Sequence, residues 1–283
     1  MSAEMAIAVA ILLPALGALI VALLGQSPNA RDGAMLLIAS ATFAVVCTIY
    51  PDVASGGRPT LHLLEILPGL DIAFQVEPLG MLFSLVASGL WILTSLYAIG
   101  YMRGHHEENQ TRFFAFFAVA ISAALAAAFS GNMLTLFFSY EVLTLSTYPL
   151  VTHHRTPEAL RAGRIYMGIL LSTSIGLLLL GTLLTYHVAG TLSFIQGGIL
   201  AEHATPLMTA LLLFLYAYGT GKAALMPIHR WLPNAMVAPT PVSALLHAVA
   251  VVKTGVFTIV KVVVYIFGID HLSSAGFHIY LAY

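Results

Sequence analysis

The chain has 283 residues, of which 59% are hydrophobic and 8% are charged, and its formal net charge is −1. Ordinary soluble domains carry about 25% charged residues, so this composition excludes a soluble fold. The net charge near zero argues against nucleic-acid binding, which needs a concentrated basic face to neutralise phosphates. The single cysteine, Cys47, cannot form a disulfide, an iron–sulfur cluster or a Cys-type zinc site within the chain. We therefore predict no cofactor and no metal, and assign any redox chemistry to a partner.

Hydropathy predicts eight membrane spans in chain order. A helix needs about 20 apolar residues to cross the hydrocarbon core of a membrane, which is about 30 Å thick. The predicted spans are 5–26, 33–51, 78–101, 113–130, 133–151, 165–187, 207–230 and 242–268, with a short apolar tail at 276–283. Open sheet edges are not viable in lipid and these runs do not alternate. The sequence therefore predicts an all-α, polytopic membrane protein with eight or nine transmembrane helices.

The charges of the loops predict how the chain is oriented. Seven of the eight loop Lys and Arg residues fall in one alternate set of loops, and the other set holds only Arg58. Because basic loops stay in the cytoplasm, we expect an inner (plasma) membrane protein with its N-terminus and the 52–77 loop outside. The alternating run from Leu70 to Val76 fits a small external β-hairpin. The seven basic residues are Arg31, Arg103, Arg112, Arg155, Arg161, Arg164 and Arg230.

Four charged side chains lie inside predicted spans, namely Glu141, Lys222, Lys253 and Lys261. A charge near the bilayer centre costs at least ~2.5 kcal/mol, so such residues are functional candidates. Glu141 lies at the middle of its span, roughly 12 Å of helix rise from either end, which is too far for its side chain to reach water. Lys261 lies near the end of its span, where its long stem could reach the interface. Lys261 is therefore either an interfacial anchor or a functional residue.

Lys222 lies where its predicted span should break. Gly219 and Gly221 lower the cost of local unwinding, and Pro227 removes a helical hydrogen bond and clashes with the carbonyl four residues earlier. Irregular backbone at this depth is tolerated where it lines a wet cavity, and discontinuous helices mark ion sites in many transporters. We predict a broken helix beside an intramembrane lysine, with His229 after the break as a further candidate. The alternative is a proline kink with a lysine salt-bridged for structure.

A histidine and a lysine on the next span favour proton transfer over metal binding. His247 and Lys253 are six residues apart, so they point about 240° apart around a helix and lie ~9 Å apart along it. Metal sites favour histidines three or four residues apart on one face, whereas a relay can use two faces, and histidine titrates near neutral pH. A neutral core histidine is the alternative. We expect Glu141 and Lys222 to form an opposite-charge pair, in which attraction favours the charged lysine and desolvation the neutral one.

One long segment carries a family resemblance. Residues 221–257, GKAALMPIHRWLPNAMVAPTPVSALLHAVAVVKTGVF, resemble the signature of the proton-translocating, antiporter-like subunits of NADH:quinone oxidoreductase, Mrp-type cation/proton antiporters and membrane-bound hydrogenases. The resemblance implies that Glu141 is the charge-coupling glutamate, Lys222 the central proton-carrying lysine and His247 the bridging histidine. Lys253 is similar to a lysine that some members carry on the eighth helix. It further implies a subunit that translocates protons, or sodium and protons, within a multisubunit membrane complex.

The same resemblance implies three parts of the chain. Three N-terminal helices with the external loop would occupy 1–112, a five-helix proton-channel repeat with a discontinuous seventh helix 113–268, and the start of a further helix or a tail 269–283. Members of the family usually continue into a second, inverted repeat. We therefore expect either a split subunit, whose partners include a chain that supplies the second half-channel, or an incomplete product. A secondary transporter subunit for another solute and a membrane scaffold, as in bicarbonate-accumulating complexes, are the alternative functions.

Overall fold

A computed structural model describes residues 2–67, 70–245, 249–277 and 279 of the chain. Within these residues, six helices are long and apolar enough to cross a membrane. They are α1 (Ala3–Leu23), α2 (Pro28–Ala54), α3 (Pro78–Gly104), α4 (Gln110–Ala128), α5 (Met133–Val151) and one helix over Pro157–Ala189. The last of these consists of α6 (Pro157–Thr173), a π-helical turn (Ser174–Leu178) and α7 (Leu179–Ala189). The predicted class, an all-α multi-pass membrane protein, is confirmed.

Helix α4 forms the centre of the N-terminal bundle. It packs against α1, α3 and α5, and 72% of its most apolar window is buried. Small side chains such as Ala120, Ala124 and Ala127 are fully buried along it. Small residues let helix backbones approach closely in a membrane, where packing rather than the hydrophobic effect drives association. Through this packing, α4 positions α5 against the N-terminal bundle.

The predicted hairpin is present and is attached to the start of α5. Strands β1 (Thr60–Leu67) and β2 (Leu70–Gln75) pair antiparallel. The Asn132 side-chain amide donates to the Asp71 backbone carbonyl at 2.7 Å, and its Oδ1 atom accepts from the Thr135 N–H at 2.8 Å, which caps α5. Asn132 thus links the hairpin to the first turn of α5.

The chain after α7 is made of short, interrupted elements. These are α8 (Pro206–Gly219), 3₁₀ turns at Gly221–Ala223 and Ile228–Arg230, α9 (Trp231–Asn234), a 3₁₀ turn at Ala235–Val237, α10 (Thr240–Ala244), α11 (Val251–Lys261), a π-helical stretch at Val262–Phe267 and α12 (Ile269–Ser274). The helix that ends at Gly219 confirms the predicted break before Lys222.

Two predicted span boundaries were wrong. The sixth span begins at Pro157 rather than 165, because Thr156 caps the Ala159 N–H and starts a polar first turn that hydropathy does not register. The eighth span, 242–268, is not one regular helix, since α10 ends at Ala244 and α11 begins at Val251. Hydropathy measures apolarity and carries no information about helical continuity.

Candidate functional site

Lys222 is fully buried in the 3₁₀ turn that follows α8, and its contacts come from α5. Its Nζ atom donates to the backbone carbonyl of Tyr140 at 2.7 Å and to the hydroxyl of Thr144 at 2.5 Å. It also lies 3.1 Å from the centroid of the Tyr140 ring, which is a cation–π contact. The Lys222 backbone N–H donates to the Tyr140 hydroxyl at 2.9 Å. All of these partners are electrically neutral.

Three glycines allow the chain around Lys222 to pack closely against neighbouring elements. A Cβ atom on Gly219 would lie 2.5 Å from the Leu178 nitrogen, and one on Gly221 would lie 2.3 Å from the Thr173 hydroxyl oxygen. On α11, a Cβ atom on Gly255 would lie 2.3 Å from the Ala223 nitrogen. The sequence assigned Gly219 and Gly221 to unwinding, and the structure adds that both permit close packing against the π-helical region.

None of the ion pairs of the described residues joins Glu141 to Lys222, so the opposite charges predicted to pair are not in contact. Neighbouring residues point about 100° apart on a helix, and Tyr140 is the residue of this pair that faces the lysine. Glu141 is half-buried, and its Oε1 atom is buried without a hydrogen-bond partner in the described part of the chain. Its negative charge still acts on Lys222 at longer range.

Of the other predicted site residues, the structure describes Lys253 and His229, and neither is among the contacts of Lys222 given above. His247 lies outside the described residues. Lys253 is exposed on α11, and none of the ion pairs in the described ranges includes it. His229 is exposed in the 3₁₀ turn after the break, close to Pro227, which is exposed as well.

Lys261 is 1% exposed, which favours the functional interpretation over the interfacial anchor. It forms an ion pair with Glu77, which is also 1% exposed. Its Nζ atom donates to the Ser130 carbonyl at 3.3 Å and lies 4.1 Å from the centroid of the Phe194 ring. Sequence reasoning missed Glu77 by assigning it to the loop 52–77. The available signal was an acid directly before Pro78, the first residue of a long apolar helix.

A second titratable cluster lies at the other end of α5. His153 and His154 approach the carboxylate of Glu107, at 3.8 Å and 3.2 Å from Oε2. Burial and the nearby Arg112 guanidinium lower the pKa of His153 to about 4. His153 is therefore neutral at physiological pH. Its side chain is buried, although it lies in a loop next to the end of α5.

Fold and site together define a multi-pass membrane protein in which a discontinuous helix holds a buried lysine against a neighbouring helix. The chain belongs to the NADH:quinone oxidoreductase/Mrp antiporter transmembrane family, whose model matches residues 130–282, more than half of the chain. The model of the N-terminal region of chain 5 of NADH-ubiquinone oxidoreductase (complex I) matches residues 69–114.

Curated relatives include antiporter and oxidoreductase subunits. The chain is 33% identical over 272 residues to a probable K(+)/H(+) antiporter subunit of Rhizobium meliloti, covering 92% of this chain and 26% of that protein. It is 31% identical to a Na(+)/H(+) antiporter subunit of Alkalihalophilus pseudofirmus, over 75% of this chain and 27% of that one. It is also 31% identical to the NADH-quinone oxidoreductase subunit L of Mycobacterium tuberculosis, over 68% of this chain and 30% of that one.

Solved structures share the fold. A chain of the membrane-bound sulfane sulfur reductase, an archaeal respiratory membrane complex, superposes with a TM-score of 0.77 at 24% identity, over 89% of this chain and 52% of that one. A chain of the Mrp complex from Dietzia sp. gives a TM-score of 0.74 at 22% identity, over 92% of this chain and 28% of that one. The chain spans about a quarter to a third of the length of the curated relatives it matches.

Proposed function

We propose that the chain supplies one half of a proton path in a multisubunit membrane complex, with Lys222 as the residue that takes up and releases the proton. The observation that carries this proposal is a fully buried lysine at a helix break whose contacts are all neutral. A buried charge without a contacting counter-ion is costly, and a desolvated lysine can lose its proton where an arginine keeps it. Small changes in the surroundings of Lys222 can therefore move a proton on or off it.

Glu141 is the residue proposed to supply such a change. It acts on Lys222 through charge rather than contact, and its unpaired Oε1 atom leaves its carboxylate free to respond to a neighbouring charge. A negative charge at longer range favours the protonated lysine without locking it in an ion pair. The predicted roles of His247 and Lys253 as a relay, on the span that contains α11, belong to the same proposal.

The partners and the location are proposed on the relatives' names and on the loop charges. The named relatives are subunits of K(+)/H(+) and Na(+)/H(+) antiporters and of an NADH-quinone oxidoreductase. We infer that this chain also works beside other membrane subunits, one of which supplies the second half-channel, in the inner membrane with its N-terminus outside. The exchanged cation other than the proton would be sodium or potassium.

The test of the carrier role uses two substitutions in the native complex. Lys222→Arg keeps a fixed positive charge, since arginine is not deprotonated in proteins, whereas Lys222→Met removes the charge. We expect both variants to assemble and both to lose proton flux in proteoliposomes. Arg164→Lys, an exchange of the same two residue types at an exposed position of α6, is the matched control and should keep normal flux. Flux near the wild-type rate in Lys222→Arg would leave Lys222 with a structural role only.

A further inference from the structure

The ion pair of Glu77 and Lys261 is a second buried charge site, separate from Lys222. Both residues are 1% exposed, and they come from distant parts of the chain, the residue before α3 and the last residue of α11. The Phe194 and Tyr265 rings flank the ammonium, with centroids 4.1 Å and 5.2 Å from Nζ. Burying an ion pair is often neutral or unfavourable compared with apolar packing, so its presence calls for a reason other than stability.

A cavity beside the hairpin lies next to this pair, separated from it by Phe194. It has a volume of about 470 Å³ and is lined by polar side chains of the hairpin and its surroundings, including Arg58, His62 and Asp71. Phe194 lines the same cavity while its ring contacts the Lys261 ammonium. Gly131, next to the Ser130 carbonyl that accepts from Lys261, lines it as well. A polar cavity of this size has room for several water molecules.

Helix α11 connects the pair to Lys222. Its buried face carries Thr254, Thr258 and Lys261, which are spaced by four and three residues and therefore lie on one face. The Thr254 hydroxyl is buried with no hydrogen-bond partner in the described part of the chain. Gly255, beside it, packs directly against the backbone of Lys222 and Ala223. From Thr254 to Lys261 the helix rises about 10 Å, so this polar face leads from the level of Lys222 to the Glu77–Lys261 pair.

We infer that the Glu77–Lys261 pair is the point where protons pass between the half-channel and the hairpin-side cavity. The inference rests on the proposed function. In the transfer, a proton leaves the Lys261 ammonium for a Glu77 carboxylate oxygen, giving a neutral amine and a neutral acid. The acid then gives the proton to water in the cavity, and the amine takes the next proton from the Lys222 side.

The first experiment separates proton exchange from a structural ion pair. Lys261→Arg keeps a cation that can pair with Glu77 but does not give up its proton. In the native complex in proteoliposomes, we expect this variant to assemble and to lower proton flux at least tenfold. Normal flux in Lys261→Arg would overturn the inference. If Lys261→Arg and Lys222→Arg both keep normal flux, the proposed function is refuted together with the inference. If Lys261→Arg keeps normal flux and Lys222→Arg loses it, only the role of Lys261 is refuted.

The second experiment leaves Lys261 and Glu77 unchanged. Phe194→Cys and Ile195→Cys are made in a background in which Cys47 is replaced by serine, and both positions line the cavity. A positively charged, membrane-impermeant thiol reagent added on the hairpin side should modify both. Flux should fall severalfold only for Phe194→Cys, since Phe194 contacts the ammonium. Equal flux after complete modification of Phe194→Cys, or no modification from that side, would show that the cavity does not serve the pair.

Discussion

The hydroxyl of Thr144 is predicted to control the loading of Lys222. It is fully buried and accepts from the ammonium at 2.5 Å, and it is the side-chain oxygen in contact with Nζ. Thr144→Val keeps the shape of the side chain and removes the acceptor. A hydrogen bond to a charged group contributes about 1.5–3 kcal/mol, and a tenfold change in rate corresponds to about 1.4 kcal/mol. We therefore expect proton flux to fall about 10- to 100-fold.

The assay compares Thr144→Val with Thr144→Ser in the reconstituted native complex. Flux is followed with a pH-sensitive dye, and assembly is checked by the yield of intact complex. Serine keeps the hydroxyl and loses only a methyl group, so this variant should stay within a few-fold of the wild type. The Thr144 hydroxyl also donates to the Tyr140 carbonyl, as helical threonines often do, and valine leaves that carbonyl its helical bond. Wild-type flux in the valine variant, or an equal loss in the serine variant, would refute the role assigned to the hydroxyl.

Three further results are expected. In a thermal unfolding assay, Gly255→Ala should lower the stability of the complex by about 1–3 kcal/mol. The new Cβ atom would lie 2.3 Å from the Ala223 backbone nitrogen. Gly168→Ala is the control and should not lower the stability, because a Cβ atom there has no neighbour within 4 Å. The pKa of His153 is about 4 in the folded chain and about 6.5 when unfolded, so the unfolded state binds more protons between these values. Stability should fall as pH drops through that window, by at most about 1.4 kcal/mol per pH unit, and His153→Gln should be less acid-sensitive in melting curves at pH 7 and pH 5. With Cys47 replaced, Ser55→Cys should react with an impermeant thiol reagent added outside intact cells, and Gly104→Cys only after permeabilisation; the reverse pattern would invert the proposed topology.

The sequence was sufficient for the elements whose signals are local. The first five spans, the hairpin alternation and the helix break beside Lys222 depend on neighbouring residues, and the structure contains them. The partners of the charges depend on contacts between distant segments. In the sequence, Tyr140 and Thr144 are ordinary residues of an apolar helix, and only the fold shows that they contact Lys222. Hydropathy likewise assigns Glu77 to a loop and does not indicate its ion pair with Lys261. Side-chain direction explains why Tyr140 rather than Glu141 contacts Lys222, since depth in a span does not say which way a residue points.

The helix break needs the polar atoms of two aromatic residues, Tyr140 and Trp231, which hydropathy does not distinguish from other large side chains. Breaking a helix in a membrane frees backbone groups, and each one left without a partner costs several kcal/mol in lipid. Here the Gly221 carbonyl accepts from the Trp231 indole N–H at 2.9 Å, and the Lys222 N–H donates to the Tyr140 hydroxyl. Both aromatic residues are fully buried, so neither serves as an interfacial residue. The Tyr140 hydroxyl and the Trp231 indole N–H therefore stabilise the irregular backbone that places the Lys222 side chain against α5.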